Sequence, residues 1–363
     1  MSGKTTKRMI NAYYQEAAPT AFFSGMFSAP PVNFHSSEEV EIDIVRSEED
    51  VSIAIQDMST GYRMNSEDIY TNKGFKPPIH KEAIPINSFD LIKRMPGQNP
   101  FESPDFRTNV IMRMFNGMRK VERKIRRAIE LQASQVLQTG SASLTDENGA
   151  VVYTIDYAPK ASHFFTAGTA WDQAGADPIG DIETLCNLIR TDGLATADEI
   201  DMGSDAYEAF IKNEDVQKRL DLRRADLGSI TPMQRRGNGG IYRGTVEIGN
   251  YKLDIFTYDG HYKNPQTKVT QPYLAKSNVV VRTSDARMDA TFGAIPNIGR
   301  LLGGGRSLIP EMPGRLSSTG SRMDLHTNIW MSPDGENLFG GVGARPLMIP
   351  TAIDTFGCID TGL

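Results

Sequence analysis

The densest cluster of ionisable side chains is basic. Arg119, Lys120, Arg123, Lys124, Arg126 and Arg127 fall within nine residues, opposed only by Glu122. On a helix such a run can form a solvated face, meet a row of carboxylates, or grip phosphates. A row of carboxylates exists: Glu38, Glu39, Glu41, Asp43, Glu48, Glu49 and Asp50 crowd residues 38–50, with Arg46 as the one base. The solvated face is the simpler reading. The sharper one pairs the two stretches, within the chain or between neighbouring copies, because like charges packed along a helix repel and an acidic strand relieves them.

Catalytic and metal chemistry have less to work with. The sequence holds no G-x-x-x-x-G-K-[ST] phosphate loop, no G-x-S-x-G elbow and no H-E-x-x-H helix. Gly237-Asn238-Gly239-Gly240 and Gly303-Gly304-Gly305-Arg306 lack a strand-turn-helix frame and read as flexible loops. His35, His80, His163, His261 and His326 stand apart, none with a second ligand at metal spacing, so no metal or cofactor is expected. Cys186 and Cys358 form no CxxC pair, which excludes a disulfide scaffold and a cysteine-ligated zinc, and fits a reducing compartment. Cys186 shares an apolar helical face with Leu185 and Ile189 and reads as a buried thiol. The acidic pairs Asp198-Glu199 and Glu48-Glu49 read as solvated surface. A dispersed enzyme site, for instance His163 or His261 with distant carboxylates, remains a competing reading.

Elements must position whatever these residues do. The chain has 363 residues, 39 Lys and Arg against 45 Asp and Glu, and a net charge of −6. With 39% hydrophobic and 23% charged residues it can bury two or three compact units, which excludes wholesale disorder. The net negative charge argues against a protein whose main work is holding nucleic acid. Asn11, Gln15, Glu16 and Pro19 interrupt any apolar signal core, and no run approaches the roughly 18 apolar residues of a membrane span. The expected setting is cytoplasmic, without a membrane.

The first 35 residues carry Tyr13, Tyr14, Phe22, Phe23, Phe27 and Phe34 without a period, an aromatic arm that must dock on its own chain or on a neighbour. Glu39 to Ile44 alternates with period two, a strand with one wet face. Residues 51–86 continue as short strands, Val51–Ile55 and Ile84–Ile86, around Pro77-Pro78, a long irregular two-stranded excursion. Ser103, Pro104 and Gly140 bracket a long helix over residues 104–139, with Phe106, Val110, Met114, Met118, Val121, Ile125, Ile129 and Val136 on one face and Gly117 as a candidate bend. A hairpin over Ser141–Leu144 and Val151–Tyr157 follows, then a helix from Asp177-Pro178 to Asp192, a second helix over Asp205–Leu222, and a hairpin over Thr245–Tyr258 turning at Gly249-Asn250. The glycine-rich stretch 293–320 reads as a mobile loop, and the last forty residues return to strand around Pro333-Asp334-Gly335.

This order of elements resembles the major capsid proteins of tailed bacteriophages, and is most similar to the lambda-type major head protein (capsid protein E) family. Leu91 to Pro100 before the helix, Ala128 to Gly140 at its end, Val152 to Tyr157, and Trp171 with Pro178 to Glu183 carry the likeness. Val216 to Asp221, Tyr242-Arg243-Gly244 and the closing Ala344 to Met348 extend it. The first 50 residues and residues 293–320 depart from the family pattern.

The resemblance implies an α+β chain of the Hong Kong ninety-seven capsid fold: an N-terminal arm (1–50), an extended E-loop (51–100), a peripheral domain with the spine helix (101–178), an axial domain (179–275) and a C-terminal return (276–363). It implies a non-enzymatic shell subunit, forming hexamers and pentamers around double-stranded DNA without sequence-specific binding, assembled in the host cytoplasm and resident in the virion. A scaffolding protein, a maturation protease, a portal and a decoration protein are the partners it implies, and an encapsulin-like compartment is the alternative within the same fold. Phe22, Phe23, Phe27, Glu39, Glu41, Asp43, Arg119, Arg123, Arg126 and Arg127 are the expected inter-subunit contacts.

Overall fold

The computed structural model describes residues 21–30, 40–45, 70–87, 106–145, 151–217, 234–235, 239–293, 295 and 325–363. Strands β1 (Val40–Val45) and β2 (Tyr70–Phe75) form an antiparallel ribbon, with Val40 opposite Phe75 and Val45 opposite Tyr70. A division at residue 50 therefore separates two paired strands. Strand β3 (His80–Asn87), beyond Pro77-Pro78, leaves the ribbon and pairs along Asn337–Ala344 near the other end of the chain. The expected strand at Val51–Ile55 and most of the 293–320 loop lie outside the described residues.

Helix α1 (Phe106–Thr139) runs for 34 residues, about 51 Å at 1.5 Å per residue. Met114, Met118, Val121, Ile125, Ile129 and Val136 are buried along it, the stripe that the spacing predicts. In its last third Glu130, Gln132, Ala133, Ser134 and Leu137 are buried too, so other elements enclose the helix there on more than one side. Gly117 serves close packing: a Cβ there would lie 3.1 Å from Ile84 Cδ1 of β3. Gly140 ends the helix at φ +67°, a conformation that favours glycine. The helix's expected cap, Ser103, lies outside the described residues.

The hairpin of β4 (Ser141–Thr145) and β5 (Val151–Asp156) follows, then β6 (Phe164–Thr166) and helix α2 (Pro178–Asp192). The Asp177 side chain accepts from the Gly180 N–H at 3.0 Å and Pro178 opens the first turn, the arrangement the sequence signals. Next come β7 (Glu199–Met202) and α3 (Ser204–Lys212). The helix expected to reach Leu222 instead breaks at Asn213, whose backbone is extended (ψ 130°) and whose Oδ1 accepts from the N–H groups of Asp215 and Val216. One asparagine thus ends one helical segment and caps the next, over residues 214–217.

The remaining strands are β8 (Gln234–Arg235), β9 (Gly240–Ile248), β10 (Tyr251–Tyr258), β11 (His261–Lys263), β12 (Thr270–Pro272), β13 (Asn278–Arg282), β14 (Asp289–Phe292), β15 (His326–Met331), β16 (Asn337–Ala344), β17 (Pro346–Ile349) and β18 (Phe356–Asp360). Strands β6, β18, β13, β7, β10, β9 and β8 make a mixed seven-stranded sheet in that order. Its alternating side chains divide between two cores. Val280, Phe356, Cys358, Phe256 and Tyr258 pack with the apolar stripe of α1, whereas Val279, Val281, Ile359, Ile255 and Leu253 pack with α2 and α3. The sheet is thus the middle layer, with the long helix on one face and the two short ones on the other. A three-stranded sheet, β15-β16-β3, covers the first half of α1, with Gly340 set against Met114.

Candidate assembly surfaces

The stripe of α1 turns inward at Met118, Val121, Ile125 and Ile129, which leaves the basic run on the outer side. Arg119 and Lys120 are exposed, while Arg123, Arg126 and Arg127 are half-buried. Lys124 Nζ lies 2.7 Å from Glu82 Oε2 of β3, and Arg126 Nε lies 3.9 Å from Glu122 Oε1 one turn back. Glu82, on β3, is thus one carboxylate that meets this run within the chain. Glu39 lies outside the described residues, while Glu41 and Asp43 stand opposite Gly74 and Asn72 in the ribbon. Both partners of the Lys124–Glu82 pair are about half exposed, so it is worth about 0–1 kcal/mol.

Phe22, Phe23 and Phe27 are not surface contacts: they are 1%, 0% and 6% exposed, enclosed by this chain's own core. Phe22 stacks on Tyr258 at 4.7 Å between ring centres, and Phe23 meets the same ring edge-on at 5.4 Å. Of the two docking options open to the arm, this segment takes its own chain, because a complete pocket waits there. Its polar floor is Glu130 of α1, fully buried, whose Oε1 accepts from the Phe23 N–H at 2.9 Å. Glu130 Oε2 accepts from the Ser24 N–H at 3.0 Å and from the Ser24 hydroxyl at 2.6 Å. These bonds satisfy N–H groups at the start of the 3-10 turn Ser24–Met26. Sequence reasoning passed over Glu130. Its signal was a lone carboxylate three, four and seven residues before Ala133, Ser134 and Leu137 on one helical face.

Two further polar groups tie elements together. Arg282 on β13 donates from Nε to Asp201 Oδ2 at 2.8 Å and also pairs with Glu199, both acids on the neighbouring strand β7. Burial pushes the guanidinium down, but the two carboxylates outweigh it and hold it above its ordinary value. His163 is fully enclosed. Its Nδ1 lies 3.1 Å from the Phe356 carbonyl and its Nε2 lies 3.2 Å from Asp192 Oδ2, while Lys160 Nζ donates to Asp192 Oδ1 at 2.7 Å. This His–Asp pair has the residue types of a proton relay. With the ring sealed and both nitrogens engaged, it works as a strut between the end of α2 and the sheet.

That strut gives stability a pH dependence. The Lys160 hydrogen bond first, then the His163 contact, hold the Asp192 carboxyl below its ordinary value against the opposing effect of partial burial. A depressed carboxyl contributes stability that is fully present above the unfolded value, about 3.9, and is lost as pH falls through the folded value. Asp192→Asn is therefore expected to be less stable than the natural chain at neutral pH, with the difference closing below about pH 4. Urea unfolding followed across pH 3–7 checks this, and a constant difference contradicts it.

Burial pushes the thiols of Cys186 and Cys358 up to about 12, with Glu183 and Asp360 adding to the effect. Both are free and buried, as the apolar setting of Cys186 suggests. Among the described residues no three His, Cys, Asp or Glu side chains group as metal ligands, and no helix is long and apolar enough to cross a membrane. An open groove of about 770 Å³ beside α3 carries Asp172, Asp205, Glu208, Glu214 and Asp215 around Lys212. Its like charges face solvent.

A long helix, a three-layer α+β body and a two-stranded ribbon paired outside the seven- and three-stranded sheets make up the Hong Kong ninety-seven type of capsid fold. The likeness to a solved candidate capsid protein of an E. coli CFT073 prophage carries this: TM-score 0.57 at 17% identity, over 81% of this chain and 79% of that one. The profile of phage major capsid protein E matches residues 9–357, and the chain belongs to that family. It is 23% identical over 303 residues to the major capsid protein of Escherichia phage lambda, covering 81% of this chain and 84% of that protein. A weaker likeness, TM-score 0.43 at 11% identity over 96% and 94% of the two chains, is to the holo-SrpI encapsulin complex of Synechococcus elongatus PCC 7942. The family match decides for the phage capsid over the encapsulin alternative. The protein's role is structural, and its place is the virion.

Proposed function

We propose that copies of this chain close into hexamers and pentamers of an icosahedral head that encloses double-stranded DNA without reading its sequence, and that the chain carries no enzymatic activity. The observation that carries this reading is the β1–β2 ribbon, which among the described residues forms a two-stranded sheet of its own. An isolated two-stranded ribbon is marginal in water and becomes favourable when neighbouring copies cover it. Its base is held by Phe75 against Tyr157, ring centres 5.6 Å apart.

Arg119, Arg123, Arg126 and Arg127, with the acidic residues Glu39, Glu41 and Asp43, are the charged contacts between copies in this reading. Assembly occurs in the host cytoplasm, with a scaffolding protein, a maturation protease, a portal and a decoration protein as partners. A net charge of −6 supports a lining that is not broadly basic, so packed DNA stays mobile. Electron microscopy of the expressed chain tests the proposal: closed particles of uniform diameter are expected, and a chain that stays near 40 kDa in all conditions overturns it. Reversing the charges with Arg123→Glu and Arg126→Glu is expected to weaken assembly and alter its salt dependence. Assembly unchanged from low to high ionic strength returns that face to solvent.

A further inference from the structure

The pocket that encloses Phe22 and Phe23 is built like a peptide receptor. At one end the Glu130 carboxylate, itself 0% exposed, captures two consecutive backbone N–H groups and the Ser24 hydroxyl. In the middle Tyr258 takes the Phe22 ring face-on, and Gly240 supplies the space beside it, since a Cβ there would overlap that ring. At the other end the strap pairs with the edge of β14: the Ser28 N–H donates to the Met288 carbonyl at 2.9 Å, and the Ala290 N–H donates to the Ser28 carbonyl at 2.7 Å. Backbone capture at both ends with side-chain pockets between them is how proteins hold a peptide supplied from another chain.

We propose that this cleft is a binding site for an aromatic peptide of the form Phe-Phe-Ser-Gly-Met-Phe-Ser, filled in cis by Phe22–Ser28 and able to accept the same segment in trans, including from a second copy. The inference stands apart from shell formation. It rests on the way Glu130 reads the segment: an enclosed carboxylate with its donors withdrawn must be rehydrated, so a supplied peptide that restores them binds with a charge-assisted advantage. The tethered segment competes at an effective concentration of about 1 mM, so trans binding becomes visible once the cis segment is weakened.

The test uses the full chain carrying Phe22→Ala and Phe23→Ala, with a blocked synthetic peptide of residues 20–30. Saturable binding and a rise in Tm are expected. The natural chain should respond far less, and a peptide carrying the same two alanines should not bind. Adding Glu130→Gln should weaken peptide binding by about tenfold or more. If the double-alanine chain does not fold, Ser24→Ala in the full chain replaces it, because it removes one hydroxyl only. A Ser24→Ala chain with no saturable Tm shift at millimolar peptide overturns the proposal, as does binding that is indifferent to Glu130→Gln.

Discussion

Arg282→Met is expected to cost about 3–5 kcal/mol of folding stability, among the largest losses any single charged residue of this chain should produce. Arg282 is 6% exposed and Asp201 0%, so neither can turn to water when the other is removed. Asp201 Oδ1 has no hydrogen-bond partner among the described residues, which leaves the guanidinium as the compensating charge for the whole carboxylate. Glu199, directly opposite Arg282 in the register of β13 and β7, adds a second acid to the same enclosed space. Methionine fills similar volume without the charge and strands both. The urea midpoint should fall with an unchanged slope. A triple replacement that also makes Glu199 and Asp201 apolar should recover much of the loss, since the penalty lies in the unpaired acids and not in the missing contact. A single-substitution loss below about 1 kcal/mol would mean that the acids find other compensation.

Trp171→Ala is expected to cost a further class of energy, about 3–5 kcal/mol from packing. The indole is 2% exposed, its ring centre is 6.2 Å from that of Phe210 on α3, and its Nε1–H donates to Asp181 Oδ2 at 2.9 Å on α2. One side chain thus joins both short helices on the sheet's far face. Burial raises the Asp181 carboxyl and the indole hydrogen bond opposes that shift, so a replacement that keeps the ring's cover and loses its donor should push the carboxyl higher still. Trp171→Phe keeps most of the packing and loses the donor, and about 1–2 kcal/mol is expected for it. Chemical unfolding of the two variants separates the terms, and equal losses would assign the whole effect to the hydrogen bond.

What the sequence discloses of this fold is what is local. The stripe of α1, the glycine at its end, the Asp177-Pro178 start of α2 and the Gly249-Asn250 turn all depend on neighbours within a few residues, and each lies where its pattern puts it. Asn213 misled because Val216 continues the apolar spacing of Ala209 and Phe210, while the break comes from a side chain capping its own backbone. Ile84–Ile86 has the right strand character, but its partner, Asn337–Ala344, lies some 250 residues away, and no local pattern names it. A long separation also hid Glu130, whose partners Phe23 and Ser24 precede it by more than a hundred residues. Its burial among small residues was visible; the backbone it receives was not. The aromatic rings of the arm announced that they must be covered, and composition alone could not choose the cover.

The two sealed cysteines have a practical consequence. Held as protonated thiols behind packed strands and helices, they leave maleimide or iodoacetamide reagents nothing to attack while the chain stays folded. A cysteine introduced at Val151, 60% exposed at the start of β5, would then be the one accessible thiol on each folded copy. Conjugation could proceed at one label per subunit without first stripping out native residues, and a closed particle would carry dyes or ligands at as many regularly spaced points as it has subunits.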